Sequence, residues 1–360
     1  MKPSPHSLAK LSWPRGRDPS RFRARRAWPD LGPPAAGGSA ARSQAEVRWR
    51  PLHTIPGILD VVGPRTDGRL IVASSQAGLF LLRRDSPPIP FARGPEGYVP
   101  STGESYIALA RKRRLSAAGC SFRRNDVYAL DPAADPGIIR IDRLGRARRF
   151  ADLPSGAFLS GIAFDTVGRF GYRLLVTTLL GENMTLYALD CCGRSSVILQ
   201  AGPRVEGGIA VAPRTFGRFA GQLIAPDEHS GRIFAFDRHG RTRVVSQYRF
   251  PAGGDIGVES VGFVPPGFDR HGAAYLADLG APGAPTPGTS SLLTLRGLEL
   301  VRAGVRPGDL LVATEGGAIT FAIRCRQRCT VRQIGRGPTA THGEGHLTVV
   351  PAAHPTRSTP

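Results

Sequence analysis

The sequence is poor in lysine, which changes how its strong positive charge should be interpreted. Only 3 of the 48 basic residues are lysine, so the formal net charge of +20 comes almost entirely from arginine. Residues 1–50 hold 11 basic and 3 acidic residues, a surplus of 8, which leaves 12 charges spread over the other 310 residues. Nucleic-acid binding requires cations clustered on one surface. The spread of the basic residues along the chain therefore argues against nucleic acid as a partner.

Long apolar runs are also missing. No stretch approaches the roughly 18 apolar residues that a membrane-spanning helix needs, so we expect no membrane association. Arg25-Arg26 is not followed by the apolar segment of a secretory or twin-arginine signal. By default this predicts a cytoplasmic protein. The five cysteines instead favour an exported protein with a misplaced start site, and the sequence leaves the compartment open.

Two common catalytic signatures are absent as well. The chain contains no Gly-x-Ser-x-Gly motif. The glycine pairs Gly253-Gly254 and Gly316-Gly317, among others in the chain, lack the strand-to-helix setting of a phosphate-binding loop. Any chemistry must therefore come from residues that a repeated fold brings together.

What the chain does contain is a repeated strand phrase. Ile138 to Asp142, Leu186 to Asp190 and Ile233 to Phe236-Asp237 are apolar segments ending in Asp, and Gly-Arg stands three residues after each Asp. The aspartates lie 48 and 47 residues apart, and Gly161-Ile-Ala-Phe recurs 47 residues later as Gly208-Ile-Ala-Val. A period of 40 to 50 residues is typical of β-propeller blades. We predict an all-β fold, a six-bladed β-propeller of four-stranded antiparallel blades, with seven blades as the alternative.

Five complete blades can be laid out on this period. Inner strand first, they are 58–62, 69–74, 79–83 and 89–93; 106–110, 127–130, 138–142 and 147–153; 161–165, 173–178, 185–190 and 195–200; 208–212, 222–226, 232–237 and 242–247; and 261–264, 273–277, 290–295 and 299–303.

The sixth blade is irregular. Its segments 310–314, 318–324 and 330–334 have no inner strand before them. Gly345–Val350 resembles the inner strands, so we expect the C-terminal part of the chain to close the ring beside Val47–His53, which has the pattern of an outer strand. The predicted domains are a disordered basic tail rich in Pro, Gly and Arg at 1–45, a single propeller at 46–352, and a C-terminal tail at 353–360. We expect a monomer.

The blade phase also places the cysteines. Cys325 and Cys329 flank a short basic turn between strands, where a disulfide would hold a hairpin, while two cysteines alone make a poor zinc site. Cys120 lies in an insertion of the second blade, 111–125, that carries six cationic residues. It falls on the same face as Cys191-Cys192, so we predict a bridge from Cys120 to Cys191 or Cys192.

The acidic residues fall on the opposite face. Residues just before an inner strand or just after the second strand of a blade surround one mouth of the channel, and they include Glu104, Glu206, Asp227, Glu228, Glu259, Asp278, Glu315 and Glu344. Carboxylates gathered on a basic protein need a countercharge, and Ca²⁺ takes several oxygen ligands in flexible geometry. The metal candidates are Glu206, Asp227, Asp278 and Glu344. The candidates for binding a ligand are Asp227, Glu228, Asp278, Glu315 and His346.

Three features of the blades point to a known type of propeller: the repeated phrases, the Glu-Gly and Glu-Ser pairs that enter inner strands, and the Asp that ends second strands. In these features the sequence resembles six-bladed propellers of the senescence-marker-protein and gluconolactonase type, within a wider group that includes TolB-like propellers. The resemblance covers about residues 57 to 350. It implies a divalent cation held in the channel and hydrolysis of sugar lactones, with the cation polarising the carbonyl and an acidic residue as base. Pro56-Gly57 stands where that family places a first-blade ligand, and no Asn occupies a mouth position.

Two functions follow as hypotheses. The first is a binding protein whose acidic mouth holds a small polar ligand, a protein partner or a divalent cation such as Ca²⁺. The second is a metal-dependent hydrolase of a lactone or small ester, with Glu206 and Glu259 as the catalytic candidates. The sequence leaves open whether the protein is an enzyme, because propellers support both roles.

Overall fold

The computed structural model describes residues 46–84, 86–101 and 103–352. The predicted tails 1–45 and 353–360 lie outside the described residues, so they stay predictions. The described chain forms six sheets of four or five strands and one two-stranded hairpin. Their innermost strands contact one another in a closed ring, which makes the fold a six-bladed β-propeller and excludes the seven-bladed alternative.

Four blades follow the chain as regular antiparallel meanders. The described chain begins with two short strands, β1 (Val47–Arg48) and β2 (Arg50–Thr54), that join later sheets. The four meanders consist of β3 (Ile58–Val62), β4 (Leu70–Ser74), β5 (Gly78–Leu82) and β6 (Ile89–Phe91); β7 (Ile107–Leu109), the inserted hairpin β8 (Arg113–Leu115) and β9 (Cys120–Phe122), β10 (Val127–Asp131), β11 (Gly137–Ile141) and β12 (Ala147–Asp152); β13 (Phe158–Phe164), β14 (Leu174–Leu180), β15 (Asn183–Leu189) and β16 (Ser195–Gly202); and β17 (Ala210–Val211), β18 (Leu223–Asp227), β19 (Arg232–Phe236) and β20 (Thr242–Val244). All four agree with the predicted blades to within a few residues.

The repeated Asp-x-x-Gly-Arg phrase forms the turn between the third and fourth strands of a blade. Asp142 Oδ1 accepts the backbone N–H groups of Leu144 and Arg146 at 2.8 and 3.0 Å. Gly145 has a φ of 94°, a conformation that favours glycine. Asp190 and Asp237 repeat these bonds. The phrase is therefore a turn-forming unit, in which the carboxylate satisfies the backbone donors.

Blades five and six are interlocked, which corrects the predicted strand pairing. The remaining elements are β21 (Val258–Phe263), β22 (Ala273–Asp278), β23 (Ser291–Arg296), helix α1 (Gly297–Arg302), β24 (Leu310–Thr314), β25 (Thr320–Cys325), β26 (Cys329–Arg336) and β27 (Gly343–Val350). β21 pairs with β24 and supplies the inner strand that the sixth predicted blade lacked. β22 and β23 pair instead with β27 and β2. The predicted outer strand 299–303 is wrong, because β2 fills that edge and the segment forms α1.

The start of the described chain closes the ring by joining both interlocked blades. β1 runs parallel to β26 at the outer edge of blade five, and β2 runs antiparallel to β23 at the outer edge of blade six. Between them, buried Trp49 donates its indole N–H to Thr320 Oγ1 at 2.7 Å across 271 residues of sequence. β27 and β2 were expected side by side, but they occupy opposite edges of one sheet.

The core lies between neighbouring blades. Every residue of β3 and β4 is buried, whereas the outer strand β16 is largely exposed. Burial of apolar side chains on both sheet faces is the main stabilising contribution in such a ring. No helix in 46–84, 86–101 or 103–352 is long and apolar enough to span a membrane.

Candidate functional site at the acidic mouth

Six glutamates gather at one end of the channel. Each stands at the start of an inner strand or just after a second strand, namely Glu104, Glu206, Glu228, Glu259, Glu315 and Glu344. Their side chains are linked by shared contacts to Tyr106, His342 and Arg204. We call these nine residues the acidic mouth.

Tyr106 lies at the centre of the acidic mouth. Its fully buried hydroxyl is 2.7 Å from Glu344 Oε2, 2.9 Å from Glu104 Oε2 and 3.3 Å from Glu259 Oε1. A phenol carries one proton, so it can donate to only one of these carboxylates. The other two contacts are hydrogen bonds only when the carboxyl itself carries a proton. This arrangement therefore favours bound protons or another positive charge.

His342 connects the next two carboxylates. Its Nε2 is 2.8 Å from Glu315 Oε1 and 3.4 Å from Glu344 Oε1. Burial lowers the pKa of His342, but its hydrogen bonds to the two glutamates outweigh burial and raise the pKa to about 10. His342 is therefore a cation at neutral pH. The Asp255 carboxylate, at the exposed rim, lies within 4.8 Å of both Glu315 and His342.

Arg204 supplies the other fixed cation. Its guanidinium is hydrogen-bonded to Glu206 and lies 3.9 Å from Glu228. Glu228 is in turn hydrogen-bonded to Glu315, a contact between two carboxyls that requires a shared proton. Six carboxyls thus face two strongly held cations, and the negative charge is not balanced.

The pKa values of the glutamates reflect this unbalanced negative charge. Burial, followed by repulsion between the carboxylates, raises the pKa of Glu104 and of Glu259 well above the ordinary value. Burial is the main cause for Glu206 and Glu315 too, and it raises their pKa values to about 7 and about 8. Such a site retains protons at neutral pH unless another cation takes their place.

Three of the residues proposed from the sequence are engaged elsewhere. Asp227 accepts hydrogen bonds from Ser230 and from the N–H of His229, within its own turn. Asp278 accepts the Thr289 hydroxyl at 2.6 Å and the N–H of His342 at 2.9 Å. The third, His346, lies deeper in the channel. Both aspartates thus already accept hydrogen bonds, and their role as ligands stays a prediction.

His346 closes the channel below the acidic mouth. Its Nδ1 is 2.9 Å from Asp60 Oδ2, and its Nε2 is 2.9 Å from the carbonyl oxygen of Ile162. Asp60 is fully buried and also accepts the backbone N–H groups of Val61, Ile107 and His346. Burial lowers the pKa of His346, but the Asp60 carboxylate outweighs burial and raises it. This ion pair joins three inner strands.

The donor set of the acidic mouth fits a hard divalent cation. Two carboxylate oxygens, Glu259 Oε2 and Glu315 Oε2, are buried without a hydrogen-bond partner among the described residues. A buried polar atom of this kind normally has a partner. The surrounding groups are carboxylate oxygens, which Ca²⁺ and Mg²⁺ prefer. A divalent cation bound among these carboxylates would balance the surplus negative charge.

The structure contains two disulfides, Cys120–Cys191 and Cys325–Cys329, with sequence separations of 71 and 4. The first joins the hairpin of the second blade to the repeated turn of the third. Of the two partners left open for Cys120, the structure pairs Cys191, and Cys192 is an exposed free thiol.

Sequence reasoning did not identify Tyr106, His342 or Asp60 as important. Tyr106 follows the Glu104-Ser pair that enters β7, and His342 stands two residues before Glu344. Both lie two residues from a blade-entry Glu, Tyr106 after Glu104 and His342 before Glu344, and this proximity is the signal that could have found them. Asp60 has no such signal. The sequence shows an Asp inside an apolar strand, but it does not show that the partner of this Asp is His346, 286 residues away.

The fold and the site together define a six-bladed β-propeller with a carboxylate-rich channel mouth. No protein-family model matches the chain. No curated protein matches it either.

Among solved structures, the chain is similar to three propellers. They are virginiamycin B lyase from Staphylococcus aureus (10% identity, TM-score 0.42, covering 80% of this chain and 74% of that one), the calcium-binding protein regucalcin from Agrobacterium tumefaciens (11%, 0.43, 84% and 82%) and a gluconolactonase from Xanthomonas campestris (15%, 0.36, 64% and 69%). Two of these are of the type that the sequence resembled. Identities this low leave the activity to be argued from the residues of this chain.

Proposed function

We propose that the chain is a binding protein that holds a divalent cation at the acidic mouth and, through it, a small polar ligand. The observation that supports this most is the pair of buried, unpartnered oxygens on Glu259 and Glu315 within a cluster of six glutamates. Protons can relieve part of the repulsion between the carboxyls, and one is shared by Glu228 and Glu315. A divalent cation would balance the remaining negative charge and offer a partner to buried carboxylate oxygens.

Each residue of the acidic mouth has a role in this proposal. Glu259, Glu315 and Glu344 are the carboxylates proposed to hold the ion, because each contacts Tyr106 or His342 at the centre of the acidic mouth. Tyr106 and His342 orient this cluster, and each donates its one available proton to a neighbouring carboxylate. Arg204 is hydrogen-bonded to Glu206 at the edge and partly offsets the burial that raises the pKa of this glutamate. A bound Ca²⁺ retains free coordination positions that hydroxyl or carbonyl oxygens of a ligand can fill.

The cation preference follows from the ligand type. An all-carboxylate set without cysteine favours Ca²⁺, Mg²⁺ or Mn²⁺ over Zn²⁺. Glu259 and Glu315 come from blade five and Glu344 comes from blade six, and these positions do not impose a regular octahedral arrangement. This favours Ca²⁺, which tolerates irregular geometry.

A metal-dependent hydrolase of a lactone or small ester is the second candidate. The observation that favours it is the surplus of glutamates, since six carboxyls are more than one divalent ion requires. One that does not ligate, with Glu206 at the edge as the foremost choice, stays available as a general base. A bound cation would polarise the ester carbonyl. Cation-dependent turnover of a lactone, lost in Glu206→Gln while the cation still binds, would separate this candidate from simple binding.

The cation proposal is tested by thermal unfolding of metal-stripped protein with Ca²⁺, Mg²⁺ and Mn²⁺. A ligand that binds only the folded state stabilises it by about 2.7 kcal/mol at a hundredfold excess over Kd. We expect a rise in Tm with Ca²⁺ that Glu259→Gln and Glu344→Gln each abolish. Glu299→Gln is the matched control, because Glu299 pairs with Arg50 on the outer surface. A wild-type Tm unchanged by all three ions would refute the proposal.

A further inference from the structure

A second cavity lies at the other end of the channel. Its volume is about 710 Å³, and it is lined by the later residues of all six inner strands, from Val62 in the first blade to Val349 in the last. Its deepest residue on β27 is His346, which joins three inner strands and separates this cavity from the acidic mouth. Cavities of roughly 300 to 1,000 Å³ are typical of small-molecule sites. We call this space the basic cavity.

The charge of the basic cavity is opposite to that of the acidic mouth. Five of its lining residues are cationic, namely Arg65, Arg111, Lys112, Arg113 and Arg124, and none of the described residues that line it is acidic. One channel therefore presents carboxylates at one end and arginines at the other. An anion entering the basic cavity meets no repelling side chain in its wall.

The cationic side chains have few partners of their own. In the described part of the chain, Arg111, Lys112 and Arg124 form no ion pair within 4.0 Å. Arg113 stacks on the Tyr172 ring at 4.5 Å. Arg65 is nine-tenths buried with Nη1 unpartnered, and its one carboxylate neighbour, Asp67, lies 3.5 Å from Nε. A buried guanidinium without a full set of acceptors favours an anionic ligand.

The rim of the cavity is held in place. Four of the five cations belong to the insertion 111–125, whose hairpin is fixed to the third blade by Cys120–Cys191. Phe122 of the same hairpin packs edge-on against Phe164 at 4.9 Å. Asn125 donates to Thr66 Oγ1 at 2.8 Å and so links the insertion to the first blade. Such a rim pre-organises the charges and lowers the entropy lost on binding.

The wall below the rim is apolar. Strand residues such as Leu109, Phe164, Val211 and Phe263 line it. The His346 floor offers no free ring nitrogen, since both are engaged by Asp60 and Ile162. The cavity therefore matches a molecule with an anionic group at the rim and an apolar body inside.

We propose that the basic cavity binds a small organic anion, with a carboxylate or phosphate group held by Arg111, Lys112 and Arg124 and an apolar part packed inside the channel. This site is separate from the acidic mouth and does not depend on a cation there. Carboxylate and phosphate share the chemistry that the arginines recognise, and the test distinguishes them.

Calorimetric titration of the full, metal-stripped chain with 1-naphthyl phosphate, 1-naphthoate, 1-naphthol and 1-naphthylmethylamine tests the proposal. We expect saturable binding of the two anions and none of the neutral or cationic analogue, with the tighter anion identifying the preferred group. Inorganic phosphate should bind more weakly than naphthyl phosphate. Equal binding of the two phosphates would show that the apolar wall plays no part and would overturn the proposal.

Variants locate the binding. Arg111→Gln and Arg124→Gln should each weaken the preferred anion about tenfold, because a hydrogen bond to a charged group is lost. Arg243→Gln, an exposed arginine on outer strand β20, is the matched control and should leave the affinity unchanged. Leu109→Trp should block the cavity, with its Tm reporting that the ring is still folded. Wild-type affinity in the two arginine variants, or in folded Leu109→Trp, would contradict the proposed site.

Discussion

The stability of the cation-free protein should fall as the pH rises from 5 to 9, because the acidic mouth then loses its bound protons. Burial raises the pKa of Glu315 from 4.5 to about 8 and that of Glu206 from 4.5 to about 7. A carboxyl whose pKa is higher in the folded state stabilises that state below its unfolded pKa, and this contribution is lost as the pH rises through the folded value. The raised pKa of His342 acts in the same direction.

The size of this decrease in stability follows from the pKa values of the carboxyls. Each tenfold change in proton affinity is worth about 1.4 kcal/mol. Glu315, whose side chain is only 7% exposed, would therefore contribute a loss on the order of 4 kcal/mol between pH 5 and pH 9. The carboxyls repel one another, so their contributions overlap and do not simply add. We expect a total decrease in the free energy of unfolding on the order of 4 kcal/mol.

Urea unfolding at pH 5, 7 and 9 measures this decrease. In EDTA the free energy of unfolding should decline across the range, whereas saturating Ca²⁺ should flatten the decline by replacing the protons. Glu315→Gln, which imitates the protonated carboxyl, should reduce the decline in EDTA. Glu299→Gln on the outer surface should leave it unchanged. Stability that is constant or increases with pH in EDTA would refute the charge balance derived for the acidic mouth.

Two further predictions concern the structural supports of the channel. Asp60→Ala should lower the free energy of unfolding by about 3 to 5 kcal/mol, because it leaves a buried imidazolium unpaired; a urea titration showing a loss below about 1 kcal/mol would contradict the role given to the ion pair. Removing Cys120–Cys191 by a double Ser substitution should cost about 4 kcal/mol, against about 2 kcal/mol for Cys325–Cys329, since the first closes a loop of 71 residues and the second one of 4. Equal losses in the same titration would count against the loop-closure reasoning.

The local parts of the fold could be predicted from the sequence. The Asp-x-x-Gly-Arg turn needs only its own residues, because the carboxylate, the glycine and the following N–H groups all lie within five positions. Its recurrence therefore sets the phase of the blades in the middle of the chain. That phase also predicted that glutamates from four blades would stand at one end of the channel, where the structure has them.

The pairing of distant strands could not be predicted in this way. β21 and β22 follow each other like a hairpin, yet each pairs with a strand beyond residue 300. An apolar strand pattern shows which faces are buried but not which neighbour covers them. Gly262 shows a contact of the same long range between blades, because a Cβ there would lie 1.6 Å from the Leu347 carbonyl oxygen of β27. The identity of the outer strand of blade six likewise depended on β2, hundreds of residues away.

The interlocked blades have a consequence for the order in which the ring can assemble during synthesis. Blades one to four consist of strands that are consecutive in the chain, so each can form as soon as its own segment has left the ribosome. Blades five and six exchange strands, and both also need the segment 47–54 from the other end of the propeller. Blade five cannot be completed until Arg336 of β26 has emerged, and blade six and the ring itself wait for β27, which ends at Val350. Until then β3 and β21 have no neighbour on one side, and exposed strand edges of this kind are where a nascent propeller would need protection from pairing with another chain.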